Sequence, residues 1–117
     1  MKFILLIVNA EGDWQQLSAT EQERVVQGMN AVSEGLAKAG KSVTCGGLAP
    51  AAEAKTVWRT AAGREVRDGL ARPLTERKEL VTGFFVIEVD SMAEAIEWAK
   101  KLPIVAGGIE IRRIAME

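Results

Sequence analysis

The chain has 117 residues, 48% hydrophobic and 26% charged, with a net charge of −1. That suits one domain with its own core, and leaves no strong field to draw nucleic acid or anionic lipid. It holds no histidine and no tyrosine, which excludes a histidine base, Ser-His and Cys-His pairs, and imidazole metal sites. One cysteine, Cys45, excludes an internal disulfide and fits a reducing, cytoplasmic setting.

Phe3–Val8 is an unbroken apolar run after Lys2. It is shorter than a signal-peptide core and is followed by Asn9-Ala10-Glu11, so it reads as a central strand covered on both faces. No segment is long enough to span a membrane. Residues 9–17 read as a polar loop carrying Trp14. Ser18 and Glu21 form a capping-box pattern, and Leu17, Val25, Met29, Val32 and Leu36 recur at helical spacing. The spacing predicts a helix that Gly40 ends in a left-handed conformation. Ser42–Cys45 reads as a short strand ended by Gly46-Gly47, with Leu48–Ala54 as loop.

Thr56–Arg59 and Arg64–Arg67 flank Ala61-Ala62-Gly63, a hairpin pattern with glycine at positive φ. Residues 68–80 read as a polar loop with Pro73, and Gly83–Val89 as an apolar strand. Ser91 and Glu94 make a second capping box for a helix reaching Lys101, with Met92, Ala95, Ile96 and Ala99 as its buried stripe. Pro103 and Gly107-Gly108 break the chain, and Ile109–Ile114 closes it as a strand. The order is β-α-β, hairpin, β-α-β. Right-handed crossovers on one antiparallel sheet make residues 1–117 a single α+β domain, a ferredoxin-like βαββαβ sandwich with an inserted β-hairpin. Its helices lie on one face, and a second copy is the natural cover for the other.

Gly46-Gly47-Leu48-Ala49-Pro50, the hairpin 56–67, Arg72–Glu79 running into Gly83–Glu88, the helix Ala93–Pro103 and Ile109–Arg113 together resemble the YCII-related proteins, specifically the branch named for a DGPF motif. The resemblance implies a dimeric α/β barrel of mostly unassigned function. The motif's Asp-Gly falls on Ala71-Arg72 and its Phe on Leu74, and the family's final Pro is Arg113. The His–Asp pair proposed as catalytic in other members has no counterpart in this chain.

Glu110 and Arg112 alternate with Ile109 and Ile111, so the charged pair shares the face away from the isoleucines. An arginine there could hold a carboxylate or phosphate bidentately, or could pair with Glu110 to fix a dimer. Glu76, Lys78 and Glu79 precede a core strand; a lysine between carboxylates suits acid–base work, or simply ties down a loop. Asp68 offers a displaced carboxylate, and Trp14 is the tryptophan best placed to line a pocket. Gly35–Ser42 matches the phosphate-loop spacing, but a helix precedes it and a strand follows, the reverse of what phosphate binding needs. Cys45 reads as a small buried hydrophobe.

The expectation is a homodimer binding a small polar or acidic molecule between sheet and loop 68–80, with isomerase- or lyase-like chemistry by family analogy alone. Arg112 would anchor the ligand with Glu110, Trp14 and Asp68 beside it, and Glu76 and Lys78 would move protons. The alternative is a non-enzymatic dimeric binding or interaction module whose motif charges are structural. No cofactor, metal, nucleic acid or membrane partner is expected.

Overall fold

A computed structural model describes residues 1–71 and 78–117. The apolar N-terminal run lies in strand β1 (Lys2–Ala10), which sits inside a four-stranded antiparallel sheet of order β2-β5-β1-β6. β2 is Ser42–Gly47, β5 is Glu79–Glu88 and β6 is Gly108–Arg113. β1 exceeds its apolar run because Asn9 and Ala10 still pair with Leu80 and Glu79, which satisfies their backbone groups. A register shift after Ile7 leaves Thr82 as an extra residue on β5, a β-bulge. This α+β arrangement is ferredoxin-like.

Among the described residues, three α-helices accompany the sheet: α1 (Gly12–Gln15), α2 (Ala19–Lys38) and α3 (Met92–Lys100). The α2 capping box forms: Ser18 Oγ accepts from the Glu21 N–H, and Glu21 Oε1 accepts from the Ser18 N–H, both at 3.1 Å. At its other end Gly40 adopts φ +70°, and the Lys41 N–H returns to the Leu36 carbonyl at 2.8 Å. In α3, Ser91 Oγ accepts from the Glu94 N–H at 3.1 Å, but the Glu94 carboxylate turns instead to the Asp90 N–H and the Lys41 ammonium. The expected α3 stripe is also corrected. Ala95, Ala99 and the following Leu102 are buried, whereas Met92 and Ile96 are 42% and 38% exposed. Small residues toward the sheet let α3 lie close to it, which turns the larger apolar pair outward.

The core joins Phe3 and Leu5 of β1 to Phe85 and Ile87 of β5, under Val32 and Leu36 of α2 and the alanines of α3. Burying Phe3, Leu5, Leu36 and Ile87 contributes about 1.5–3 kcal/mol each. Strands β3 (Lys55–Thr60) and β4 (Gly63–Asp68) pair only with each other, in a separate two-stranded antiparallel ribbon that contributes nothing to this core. Gly63 opens β4 at φ +125°.

Gly107 is the tightest of the described glycines. It lies at φ +80°, and a Cβ there would come 2.0 Å from the Val8 carbonyl oxygen. Gly107→Ala should destabilise the fold by about 3 kcal/mol, read from the urea midpoint, while Gly108→Ala, with open space around its Cβ, should cost under about 1 kcal/mol. The Lys41 hydrogen bond, then the Asp90 N–H, hold the Glu94 carboxyl below the ordinary glutamate range. A folded-state pKa below the unfolded one stabilises at neutral pH and is lost as pH falls through the folded value. Glu94→Gln should therefore weaken the protein at pH 7, and the gap should close as the pH falls through and below the ordinary glutamate range in acid unfolding followed by circular dichroism.

Candidate functional site

The helices differ in length: α2 has 20 residues and α3 has 9, about 30 Å against about 14 Å at the helical rise. Only the later part of α2, at Val32 and Leu36, is buried in the core. Its first half stands over the Ala10 end of β1, where the sheet is short of side chains. Gly47 and Gly83 are paired across β2 and β5, on the face shared by Ile7, so the floor lacks two side chains there. The result is a cavity of about 640 Å³ on the helix face of the sheet. Ile7, Phe85 and Ile109 line its floor, Val25 and Met29 its helical wall, and Trp14, Leu48 and Val105 further sides.

Specific contacts hold these walls. Asp13 Oδ2 accepts the Ala10 N–H at 3.0 Å, and Glu11 accepts the Ala51 N–H, tying α1 to the end of β1 and to the turn after Pro50. Gln22 Nε2 donates to the Trp14 carbonyl at 3.0 Å, which joins α1 to α2. Gly28 lets the segment after α3 press against α2; a Cβ there would meet Pro103 Cγ at 2.9 Å. Most lining residues are apolar. Among the described residues, the ionisable side chains at the cavity are Glu11, Asp13 and Cys45. No group of three or more Cys, Asp or Glu able to hold a metal ion occurs among the described residues.

Of the residues singled out from sequence, the structure brings Trp14 to this cavity, where it stays 42% exposed. Arg112 and Glu110 lie opposite Ile4 and Leu6 on the other face of the sheet, because Ile109 and Ile111 pack toward the core. Asp68 ends β4, exposed and paired with Lys55 at 2.5 Å. Lys78 is exposed at φ +56° and does not line the cavity. Glu76 lies outside the described residues. Leu80 lines the cavity, but it and Glu79 belong to β5 rather than to the expected loop 68–80, so the pocket adjoins the expected place and gathers a different set of residues. Cys45 is exposed rather than buried, since β2 is an edge strand that the helices leave uncovered.

Val25 borders the cavity rather than the core, Met29 touches both, and Gly46-Gly47 continue β2 rather than ending it at Cys45. The available signal was the Gly47–Gly83 pair, which only the β2–β5 register brings together. Gly47 is not in a positive-φ conformation, and a Cβ there would meet nothing within 4 Å. Gly47→Leu should therefore keep the fold and fill the floor, abolishing uptake of the neutral fluorophore N-phenyl-1-naphthylamine. Arg112→Ala and Asp68→Ala should leave that uptake unchanged in the same titration.

The YCII-related domain matches residues 1–116 of this chain. An uncharacterised protein of Rhizobium meliloti (strain 1021) is 32% identical over 119 residues, covering 99% of this chain and 94% of the relative. The described helices include none long and apolar enough to cross a membrane. By both matches, over nearly its full length, the chain belongs to the YCII-related family.

Proposed function

We propose that this protein is a homodimer that binds a small molecule in the cavity between the sheet and the first half of α2. The carrying observation is the cavity: about 640 Å³, largely apolar, open to solvent on one side and bordered by segments from α1, α2, β2 and the α3–β6 connection. That size and lining are typical of ligand pockets. Isomerase- or lyase-like chemistry would have to use Glu11, Asp13 or the Cys45 thiol, or bring in the loop pair Glu76 and Lys78. The geometry supports binding more directly than turnover.

The dimer reading rests on the opposite face. Ile4, Leu6, Phe84 and Val86 form an apolar strip there, half-buried in the single chain. Glu110 and Arg112 border it, opposite in sign and two residues apart. A two-fold axis through such a face would let Glu110 of one copy meet Arg112 of the other while the apolar strips cover each other.

One observation favours an interaction module instead. On the β3–β4 ribbon, Val57 faces Val66, and they are 62% and 63% exposed. Beside them Arg59 lies directly opposite Arg64, and neither has a carboxylate partner among the described residues. Opposed like charges destabilise a ribbon, and an acidic, partly apolar partner would relieve that repulsion.

Native mass spectrometry of freshly purified protein separates these readings. A dimer carrying extra small mass supports the binding role, and a dimer that stays empty when offered N-phenyl-1-naphthylamine favours the module. A monomer overturns the dimer. Leu6→Glu places a charge in the strip and should shift the dimer to monomer, with dissociation at least about tenfold easier.

A further inference from the structure

We infer that the cavity takes an uncharged, largely hydrocarbon molecule bearing one neutral hydrogen-bonding group, a hydroxyl or carbonyl, held by Asn30 and Ser33. The inference rests on the proposed small-molecule role of the cavity and adds the chemistry of its ligand.

Asn30 and Ser33 stand three residues apart on α2, hence on one helix face, and both line the cavity. Asn30 is exposed and Ser33 half-buried at the cavity's edge, and among the described residues neither side chain is engaged by a hydrogen bond within the chain, so both stay free to bond a ligand in place of water. An amide and a hydroxyl each donate and accept without charge, so together they match an alcohol or a carbonyl. Val25 and Met29, on the preceding turns, offer the hydrocarbon body an apolar wall facing Ile7 and Phe85.

Charge points the same way. Glu11 and Asp13 are the charged side chains that line the cavity among the described residues, and each is fixed by a backbone N–H. An anionic head would meet like charge there and lose its hydration against apolar walls. A cationic head would be attracted, but Glu11 is exposed and screened by solvent, and half-buried Asp13 already accepts the Ala10 N–H, which leaves less attraction to offset that same loss of hydration. A neutral head bears neither cost. The expected ligand is therefore different from the acidic molecule that Arg112 suggested, and Arg112 lies on the far side of the sheet.

The test is displacement of N-phenyl-1-naphthylamine from the intact protein by 6-phenylhexanol, 6-phenylhexanoate and 6-phenylhexylamine. The alcohol should displace the dye at roughly tenfold lower concentration than the acid, and also below the amine. Asn30→Ala with Ser33→Ala, both favourable in a helix and checked by circular dichroism, should weaken the alcohol several-fold while dye binding persists. If the dye binds but the acid or amine matches the alcohol, the neutral-ligand assignment falls and the cavity reading stands. If the double variant leaves the alcohol unaffected, Asn30 and Ser33 are not its anchor. If the dye does not bind at all, the cavity reading falls and the ligand class falls with it.

Discussion

Every other feature depends on β1 being apolar on both faces. Alternation sends Phe3, Leu5 and Ile7 to one side and Ile4, Leu6 and Val8 to the other, so both sides of the strand carry apolar side chains. The helices cover the first side, with Leu5 and Ile87 fully enclosed. The second side keeps an apolar strip in the single chain, bounded by Glu110 and Arg112. A strand buried on one face only would have left those positions polar.

The first cover is uneven, and the site follows from that. α3 presents alanines and lies close to the sheet, whereas α2 runs on past it. Under the overhanging half of α2 the sheet carries Gly47 and Gly83 in place of side chains. The walls are tied to the sheet and to each other: Asp13 accepts the Ala10 N–H, Glu11 accepts the Ala51 N–H, and Gly107 brings the α3–β6 connection against the Val8 carbonyl. A wall held by backbone hydrogen bonds resists the collapse that usually erases an apolar void.

Charged residues matter less to the site than their density in the sequence suggests. Lys55–Asp68, Arg67–Glu65 and Lys100–Glu97 are exposed pairs worth little in stability. Lys41–Glu94 is better shielded and joins the turn after α2 to the start of α3. The loop lysine and the β6 arginine lie away from the cavity, and its polar groups are mostly amides and hydroxyls that no charge pattern flags. This is why the candidate site was only partly legible. Trp14 stood out as an aromatic in a polar loop, but Asn30 and Ser33 look like ordinary surface residues of an amphipathic helix.

The sequence by itself determined the elements other than the short helix α1, which read as part of a polar loop, together with the caps at Ser18 and Ser91, the left-handed stop at Gly40, the alternation along β6 and the family. Each is set by interactions within a few residues, or by a pattern repeated at a fixed period. Tertiary structure alone decided that Met92 and Ile96 face outward, that Cys45 sits on an exposed edge, and that Val25 borders space rather than core while Met29 borders both. Those outcomes depend on how far α2 outruns α3 and on which glycines pair across β2 and β5. Both are relations between segments distant in the chain, to which local periodicity is blind.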